Sequence, residues 1–118
     1  MPQPDAELPT GERSELADYR GSGYDRGHMA PAEDFDRSRE AMSTSFLLSN
    51  MAPQVPGMNR GRWAQREAAV RELAAECDLW VFTGPLFVEN DPVEEIGASG
   101  VFVPTHFYKA VLCVGEAF

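Results

Sequence analysis

Residues 59–76, NRGRWAQREAAVRELAAE, are the longest stretch of the chain with a single secondary-structure preference. Alanine, glutamate and arginine dominate this stretch, and all three are strong helix formers. Trp63, Val70 and Leu73 recur at helical spacing, so one side of the helix is expected to pack against a core. The sequence therefore predicts one long helix with an apolar stripe in the middle of the chain.

Short apolar stretches lie on both sides of this helix. SFLLSN at 45–50 precedes it, and LWVFTGPLF at 79–87 and VFVPTHFYKAVLCV at 101–114 follow it. Each is predicted to be a strand, and Pro104 marks a break in the last one. MAPQVPGMN at 51–59 contains two prolines and a glycine and is predicted to be a loop. Strands before and after one helix predict an α+β fold in which a sheet packs on that helix.

Length and composition are those of one domain. The chain has 118 residues, of which 43% are hydrophobic. Residues 1–17 are polar and rich in proline, and the domain is predicted to occupy residues 18–118. The chain has no run of roughly 18 apolar residues, so no membrane partner is expected. Its first residues lack the basic start and the apolar stretch of a signal peptide.

The charge of the chain is unevenly distributed. The net charge of −9 argues against a nucleic-acid partner for the chain as a whole. Residues 20–71, however, hold eight arginines and six acidic residues, a net charge of +2. Arginine suits phosphate because its planar guanidinium donates two hydrogen bonds at once. This stretch is therefore the expected place for an anionic substrate.

The two cysteines, Cys77 and Cys113, lie in apolar surroundings. We expect buried free thiols, and the sequence leaves a disulfide between them open.

The polar residues of the DRGH segment and those of the predicted helix indicate a function only when they are considered together. Asp25, Arg26 and His28 lie side by side in DRGH, and Asn59, Glu67 and Arg71 recur at multiples of four residues along the predicted helix. Taken alone, His28 is more often a structural histidine, and a Glu–Arg pair at this spacing is more often a solvated ion pair.

Three motifs in order connect these groups to a known family. DRGHMAP at 25–31, LLSNMAPQ at 47–54, and MNRGRW at 58–63 with a glutamate eight residues after its asparagine resemble the DNA/RNA non-specific endonucleases. These are the ββα-metal, or His-Me finger, nucleases of the Serratia nuclease and mitochondrial endonuclease G type. Two later segments also resemble strands of that family, TGPLF at 83–87 and VPTHFYK at 103–109.

The resemblance implies a fold and a set of catalytic roles. The implied fold is a ββα-metal core with a mainly antiparallel sheet on one long helix, here a partial domain shortened at both ends. His28 matches the general base that activates a water, and Asn59 matches the single protein ligand of a catalytic Mg²⁺, for which Mn²⁺ substitutes. Glu67 matches an acid that holds the ion through its waters, and Arg71 matches an arginine on the scissile phosphate.

The implied substrate-binding residues are Asp25, Arg26 and Arg62. Asp25 and Arg26 match polar members of the DRGH motif that support binding and local geometry. Arg62 belongs to a group of helix arginines that are equally consistent with a phosphate track and with ordinary surface charge. Contacts to backbone phosphate carry no base information, so DNA and RNA are both expected as substrates.

The residue types suit the chemistry that the resemblance implies. Histidine accepts a proton near neutral pH, and Mg²⁺ keeps most of its water and takes few oxygen ligands from protein. The expected activity is endonucleolytic hydrolysis that leaves a 5′-phosphate and a 3′-hydroxyl. Two alternatives stay open, namely a weak or inactive nucleic-acid-binding fragment and a His-Me finger nuclease with a narrower substrate.

The resemblance also bears on partners and location. It makes a second copy of the chain and an inhibitor protein candidate partners. It favours a secreted or periplasmic protein, although this chain carries no signal peptide.

Overall fold

The computed structural model describes residues 1–89 and 92–115 and has the α+β architecture that the sequence predicts. Helices and strands are interspersed along the first two thirds of the chain, and only strands follow α4 in the part of the chain that is described. The helices are α1 (Leu16–Tyr19), α2 (Arg39–Ser45), α3 (Pro56–Met58) and α4 (Ala64–Ala74), and the strands are β1 (Asp25–His28), β2 (Met51–Gln54), β3 (Asp78–Leu86), β4 (Glu95–Ile96), β5 (Val101–Phe102) and β6 (His106–Gly115).

All strand pairs are antiparallel, as expected, but they form three two-stranded sheets among the described residues. β1 pairs with β2, so that Asp25 lies opposite Gln54 and His28 lies opposite Met51. β3 pairs with β6 along their whole length, and the short β4 pairs with β5. The break predicted at Pro104 separates β5 from β6.

The strand predicted at 45–50 is wrong, and the predicted loop at 51–59 contains β2 instead. Residues 45–50 complete α2 and a short 3-10 turn at Leu48–Asn50. Pro53 fits in β2 because β2 has only one neighbour. In an antiparallel pair, hydrogen-bonded and non-hydrogen-bonded residue pairs alternate along the ladder. The Met29 N–H donates to the Asn50 carbonyl, so three positions further along the ladder Arg26 and Pro53 form a non-hydrogen-bonded pair, which needs no N–H from proline.

The long helix begins earlier than expected and contains an irregular turn. α3 continues through a π-helical turn at Asn59–Trp63 into α4, so the helical path runs from Pro56 to Ala74. Proline at the first position suits a helix start because its missing N–H would have no partner there. π-helical turns are rare and are often found at functional sites.

The predicted apolar stripe of this helix is only partly buried. Trp63 is 6% exposed, its ring lies 5.7 Å from that of Phe107 on β6, and the Lys109 ammonium lies 5.2 Å from the Trp63 ring. Leu73, by contrast, is 39% exposed and Val70 is half-buried. Trp63 therefore anchors the helix to β6, whereas the rest of the stripe does not reach a core.

The compact core lies beside β1 and β2 rather than under α4. It is formed by Tyr19, Leu48, Met51, Ile96 and Val103. The β3–β6 pair contributes little to it, since Trp80, Phe82, Leu112 and Val114 are each more than half exposed. The backbone of the N-terminal segment touches the domain where Gln3 pairs with Leu47, and the boundary at residues 17 and 18 stays a prediction.

The expectation of free thiols is wrong. Cys77, just before β3, and Cys113, on β6, form a disulfide with 5.7 Å between their Cα atoms. This bond joins the start of β3 to the end of its partner strand, where β-pairing brings the two cysteines together. In the part of the chain that the structure describes, no helix has both the length and the apolar character needed to cross a bilayer.

Candidate active site

The DRGH residues occupy the four positions of β1 and divide between its two faces. Alternation along a strand turns Asp25 and Gly27 to one face and Arg26 and His28 to the other. The first face meets the π-helical turn, and the second face carries the histidine at the end of the strand. The motif thus supplies Asp25, which binds the π-helical turn, and His28, which does not.

Asp25 is the main hydrogen-bonding centre of the site. Its carboxylate accepts bonds from Asn59 Nδ2 at 2.8 Å, Arg60 Nε at 2.9 Å and Arg60 Nη2 at 2.7 Å. Burial alone would raise the pKa of Asp25, but these hydrogen bonds and the Arg60 charge lower it below its usual value. Asp25 is therefore ionised near neutral pH and accepts hydrogen bonds only.

This contact fixes the orientation of the Asn59 side chain. A carboxylate can only accept, so the amide nitrogen of Asn59 must turn toward Asp25. The carbonyl oxygen Oδ1 then turns away from β1 and is left free to accept or to ligate. The π-helical turn places Asn59 at its first residue, directly across from β1.

His28 is half-buried at the end of β1 and is held in an apolar setting. Its ring meets the Phe46 ring edge-on at 4.8 Å, and its Nε2 is buried without a hydrogen-bond partner among the described residues. Burial lowers the pKa of His28, although the negative charge of Glu33 opposes that effect. The imidazole is consequently neutral at pH 7, which is the form that can accept a proton.

Glu67 lies in the first turn of α4 and has no hydrogen bond within the described residues. Burial raises its pKa to about 7, the Lys109 charge lowers it, and the Glu33 charge raises it further. This carboxyl group therefore titrates near neutral pH. A cation bound beside it would lower the pKa and favour the ionised form.

Arg71 and the two arginines predicted to bind substrate, Arg26 and Arg62, lie in different surroundings. Arg71 Nη1 contacts Asp34 Oδ1 at 3.5 Å, a long and partly exposed ion pair that leaves most of its donors free. Arg26 is exposed on the His28 face of β1. Arg62 lies apart from them, in a cleft of about 440 Å³ beside Trp63 and Phe107.

Three residues that the sequence reasoning missed also belong to this region. Arg60 pairs with Asp25, Lys109 lies within electrostatic reach of Glu67, and Glu33 acts on both His28 and Glu67. The negative charge of Glu33 raises the pKa of His28 on β1 and of Glu67 on α4. Nothing in the spacing of these residues singles them out, because each lies on a separate element.

Asn50 has a structural role next to the site. Its side-chain oxygen accepts from the Ala30 N–H at 3.1 Å, and its nitrogen donates to the carbonyls of Ala30 at 2.8 Å and Ser45 at 2.9 Å. These bonds hold the segment that follows His28 against the end of α2.

Comparison with known proteins identifies the family. The description of the matching family is DNA/RNA non-specific endonuclease, and the match covers residues 3–117. The chain belongs to this family. It is 47% identical to Nuclease C1 of Cunninghamella echinulata var. echinulata over 92% of this chain and 46% of that protein. It is 42% identical to the mitochondrial endonuclease G of Homo sapiens over 85% of this chain and 37% of that protein.

A solved non-specific endonuclease has the same fold. The structure of an EndoG/EndoGI complex superposes with a TM-score of 0.88 at 44% identity, over 94% of this chain and 49% of that chain. The chain thus spans less than half the length of these relatives.

The donor set suits one hydrated hard cation better than a metal held by several side chains. The described residues contain no cluster of three or more histidine, cysteine, aspartate or glutamate side chains placed to hold a metal. Asn59 Oδ1 is a free neutral oxygen, and Glu67 is a carboxylate without a partner. Oxygen donors in small number are what Mg²⁺ accepts while it keeps its water shell. Members of this family are metal-dependent nucleases, and these residues fit that property.

Proposed function

We propose that this chain carries the catalytic residues of an endonuclease that hydrolyses phosphodiester bonds of DNA and RNA without sequence preference. The observation that carries the proposal is the Asp25–Asn59 hydrogen bond, because it joins the DRGH strand to the helix and leaves Asn59 Oδ1 free. Family membership supports the reaction class. The products proposed are a 5′-phosphate and a 3′-hydroxyl.

His28 acts as the general base in this proposal. A neutral imidazole can take a proton from water as that water attacks phosphorus, and burial keeps His28 in this form by lowering its pKa. The Phe46 ring restricts the orientation of the imidazole. Arg71 offers to the attacked phosphate the donors that Asp34 leaves free, and Arg26, on the same face of β1 as His28, offers a guanidinium to the backbone of the bound strand.

Asn59 and Glu67 are the proposed metal-holding residues. Asn59 would ligate Mg²⁺ through Oδ1, and Glu67 would accept hydrogen bonds from the water shell of the ion. The bound ion supplies charge stabilisation for the phosphate and for the leaving 3′ oxygen. Mn²⁺ has similar oxygen preferences and is proposed to substitute.

A plasmid-nicking assay with matched variants tests the function. Wild-type chain is expected to nick supercoiled plasmid and to degrade RNA with Mg²⁺ and to lose both activities in EDTA. His28→Ala is expected to reduce the rate about a hundredfold or more, since general-base catalysis contributes roughly 10²–10⁴. His106→Ala is the matched control, because His106 is exposed on β6 and bonds only Thr105. Equal rates for wild type and His28→Ala contradict the assignment of the base.

The same assay separates the two alternatives. Retention of nucleic acid without any cutting identifies a binding fragment, and cutting at fixed positions in every plasmid identifies a narrower substrate. Fragment ends that accept a 3′-extending polymerase without prior treatment support the 3′-hydroxyl product.

An inhibitor protein is the second proposed partner. One solved relative is EndoG in a complex with EndoGI, described by the mechanism of EndoG inhibition. The high coverage of this chain in that superposition supports an equivalent partner here. A homodimer stays a prediction, and size-exclusion chromatography with light scattering measures it directly.

We propose a location in an oxidising or organellar compartment. The Cys77–Cys113 disulfide favours a compartment where thiols are not kept reduced. Relatives from Schizosaccharomyces pombe, Homo sapiens and Saccharomyces cerevisiae are named mitochondrial nucleases. Thiol alkylation in cell fractions, followed by mass spectrometry of the Cys77 and Cys113 peptides, locates the oxidised protein.

A further inference from the structure

A second basic cleft lies next to the DRGH strand. It has a volume of about 380 Å³ and runs from the end of α1 to β1. Two arginines and two tyrosines are among its lining side chains, namely Tyr19, Arg20, Tyr24 and Arg26. Its size suits a small ligand or one nucleotide of a longer strand.

The two arginines of the cleft are available to bind an anion. Arg20 and Arg26 are both exposed, and neither forms an ion pair within residues 1–89 and 92–115. Arg20 follows the last residue of α1, where only its backbone N–H is used, in a bond to the Ala17 carbonyl. The guanidinium groups therefore keep their donors for a ligand.

The acidic groups around the cleft are each occupied by protein donors. Asp25 accepts from Asn59 and Arg60, and Glu94 accepts from the Tyr24 hydroxyl at 2.6 Å. Asp18 accepts from the backbone N–H groups of Glu15 and Ser99 at 2.8 and 2.9 Å. Asp25 is the one of these three that is paired with a cation, Arg60, within the described residues, whereas Asp18 and Glu94 bond neutral donors and keep their charge.

Tyr19 adds a polar group that the protein does not use. Its side chain is 4% exposed, and its hydroxyl is buried without a hydrogen-bond partner among the described residues. Burial raises the pKa of Tyr19 to about 12, so the hydroxyl keeps its proton and stays neutral. The wall of the cleft thus contains a neutral phenol next to two cationic groups.

We propose that this cleft, with Arg20 as its new member, binds the phosphate of a nucleotide that flanks the cleaved bond. The proposal rests on the proposed function, because the occupant is the nucleic-acid strand that reaches His28. Arg26 and His28 lie two residues apart on one face of β1, a separation of about 7 Å. A strand that crosses this face can place one phosphate at His28 and the next one toward Arg26 and Arg20. Arg20 is a substrate-positioning residue in this arrangement.

Binding measured without cleavage tests the subsite. Fluorescence anisotropy of a short labelled single strand in EDTA gives the dissociation constant between about 50 and 200 mM salt. Arg20→Ala is expected to weaken binding roughly threefold to tenfold at low salt, as for one partly exposed charge-assisted contact. It is also expected to reduce the salt slope by about 0.7, the value for one lost phosphate contact on a single strand.

Arg39→Ala is the matched control. Arg39 begins α2, is exposed, has no ion pair in the described part of the chain and lines none of the clefts discussed here. Arg20→Lys keeps the charge and is expected to retain most of the salt slope. Equal losses for Arg20→Ala and Arg39→Ala, or no loss for either, overturn the subsite.

A cleavage measurement separates this proposal from the proposed function. With a dinucleotide that contains one phosphodiester, Arg20→Ala and wild type are expected to have the same kcat/KM, whereas longer strands are cut less efficiently by the variant. An equal loss for the dinucleotide would mean that Arg20 acts at the cleaved bond, which contradicts a flanking subsite. Wild-type chain that binds strands through Arg20 but cuts nothing removes the proposed function and keeps the subsite.

Discussion

Replacing Asp25 by alanine tests whether the orientation of Asn59 prepares the metal site. The Asp25 side chain is 15% exposed and accepts the Asn59 amide at 2.8 Å. A hydrogen bond to a charged group contributes about 1.5–3 kcal/mol. Without it, the Asn59 amide can rotate and place Nδ2 where Oδ1 should ligate. Because about 1.4 kcal/mol is tenfold in affinity, the dissociation constant for Mg²⁺ is expected to rise roughly tenfold to hundredfold.

The assay is isothermal titration of Mg²⁺ into metal-free protein, supported by Mn²⁺ binding followed by electron paramagnetic resonance. Arg60→Ala is the matched control, since it removes the other partner of Asp25 and leaves the Asn59 contact in place. The Arg60 side chain is 73% exposed, so its loss is expected to change stability little. The Mg²⁺ affinity of the Arg60→Ala variant is expected to equal or slightly exceed that of wild type, because the variant lacks a positive charge near the metal site.

Asp25→Asn separates orientation from charge. The new amide can still accept from Asn59 through its oxygen, but it carries no negative charge. An orienting role predicts an affinity between those of wild type and Asp25→Ala. The reasoning is refuted if Asp25→Ala binds Mg²⁺ as tightly as wild type while thermal melting shows the variant to be folded. In that case Asn59 is either held by another group or is not the ligand.

Three further substitutions give independent tests. The pKa of Glu67 is about 7 in the folded chain and 4.5 ordinarily, so the folded state keeps this proton up to a higher pH than the unfolded state, and the stability that the protonated group contributes is lost as pH rises from 4.5 to 7. Glu67→Gln should therefore raise the melting temperature at about pH 8 and leave it unchanged at or below pH 4.5. The same change in melting temperature at both pH values contradicts this. Cys113→Ser should lower the free energy of unfolding by about 2–4 kcal/mol, since the disulfide with Cys77 spans 36 residues, and dithiothreitol should abolish the difference in urea titrations. Gly27→Ala should destabilise the chain by about 1–3 kcal/mol through a clash with Gln54, and adding Gln54→Ala should recover part of that loss; additive losses in the double variant refute the clash.

The composition of the chain predicts the long helix well but not its packing. Strong helix formers specify α4 locally, but the start of the helical path at Pro56 and the π-helical turn at Asn59–Trp63 were not predicted. The apolar spacing correctly singled out Trp63, which packs on Phe107. Leu73 shares the same stripe and is mostly exposed, because burial depends on which other segments lie nearby. The spacing of apolar residues predicts which face of a helix is apolar, but it does not predict which segments pack against that face.

The two wrong assignments before the helix have different physical causes. SFLLSN is apolar enough for a strand, but Ser38 caps α2 through a bond from the Ala41 N–H, and the helix runs on into residues 39–45. β2 was hidden because Pro53 normally interrupts a strand. Only the pairing register with β1 makes that proline acceptable, and register is a long-range property.

Gly27 shows why the DRGH motif needs a glycine. A glycine between polar residues is usually interpreted as a site where the backbone bends. Gly27 lies instead in a regular strand, whereas the glycines with positive φ lie in turns, such as Gly21 and Gly23. A Cβ at Gly27 would overlap the side chain of Gln54, which is 1% exposed and therefore cannot move into solvent. The requirement for glycine thus comes from close packing on the Asp25 face of β1, and that packing keeps the strand close enough for Asp25 to reach Asn59.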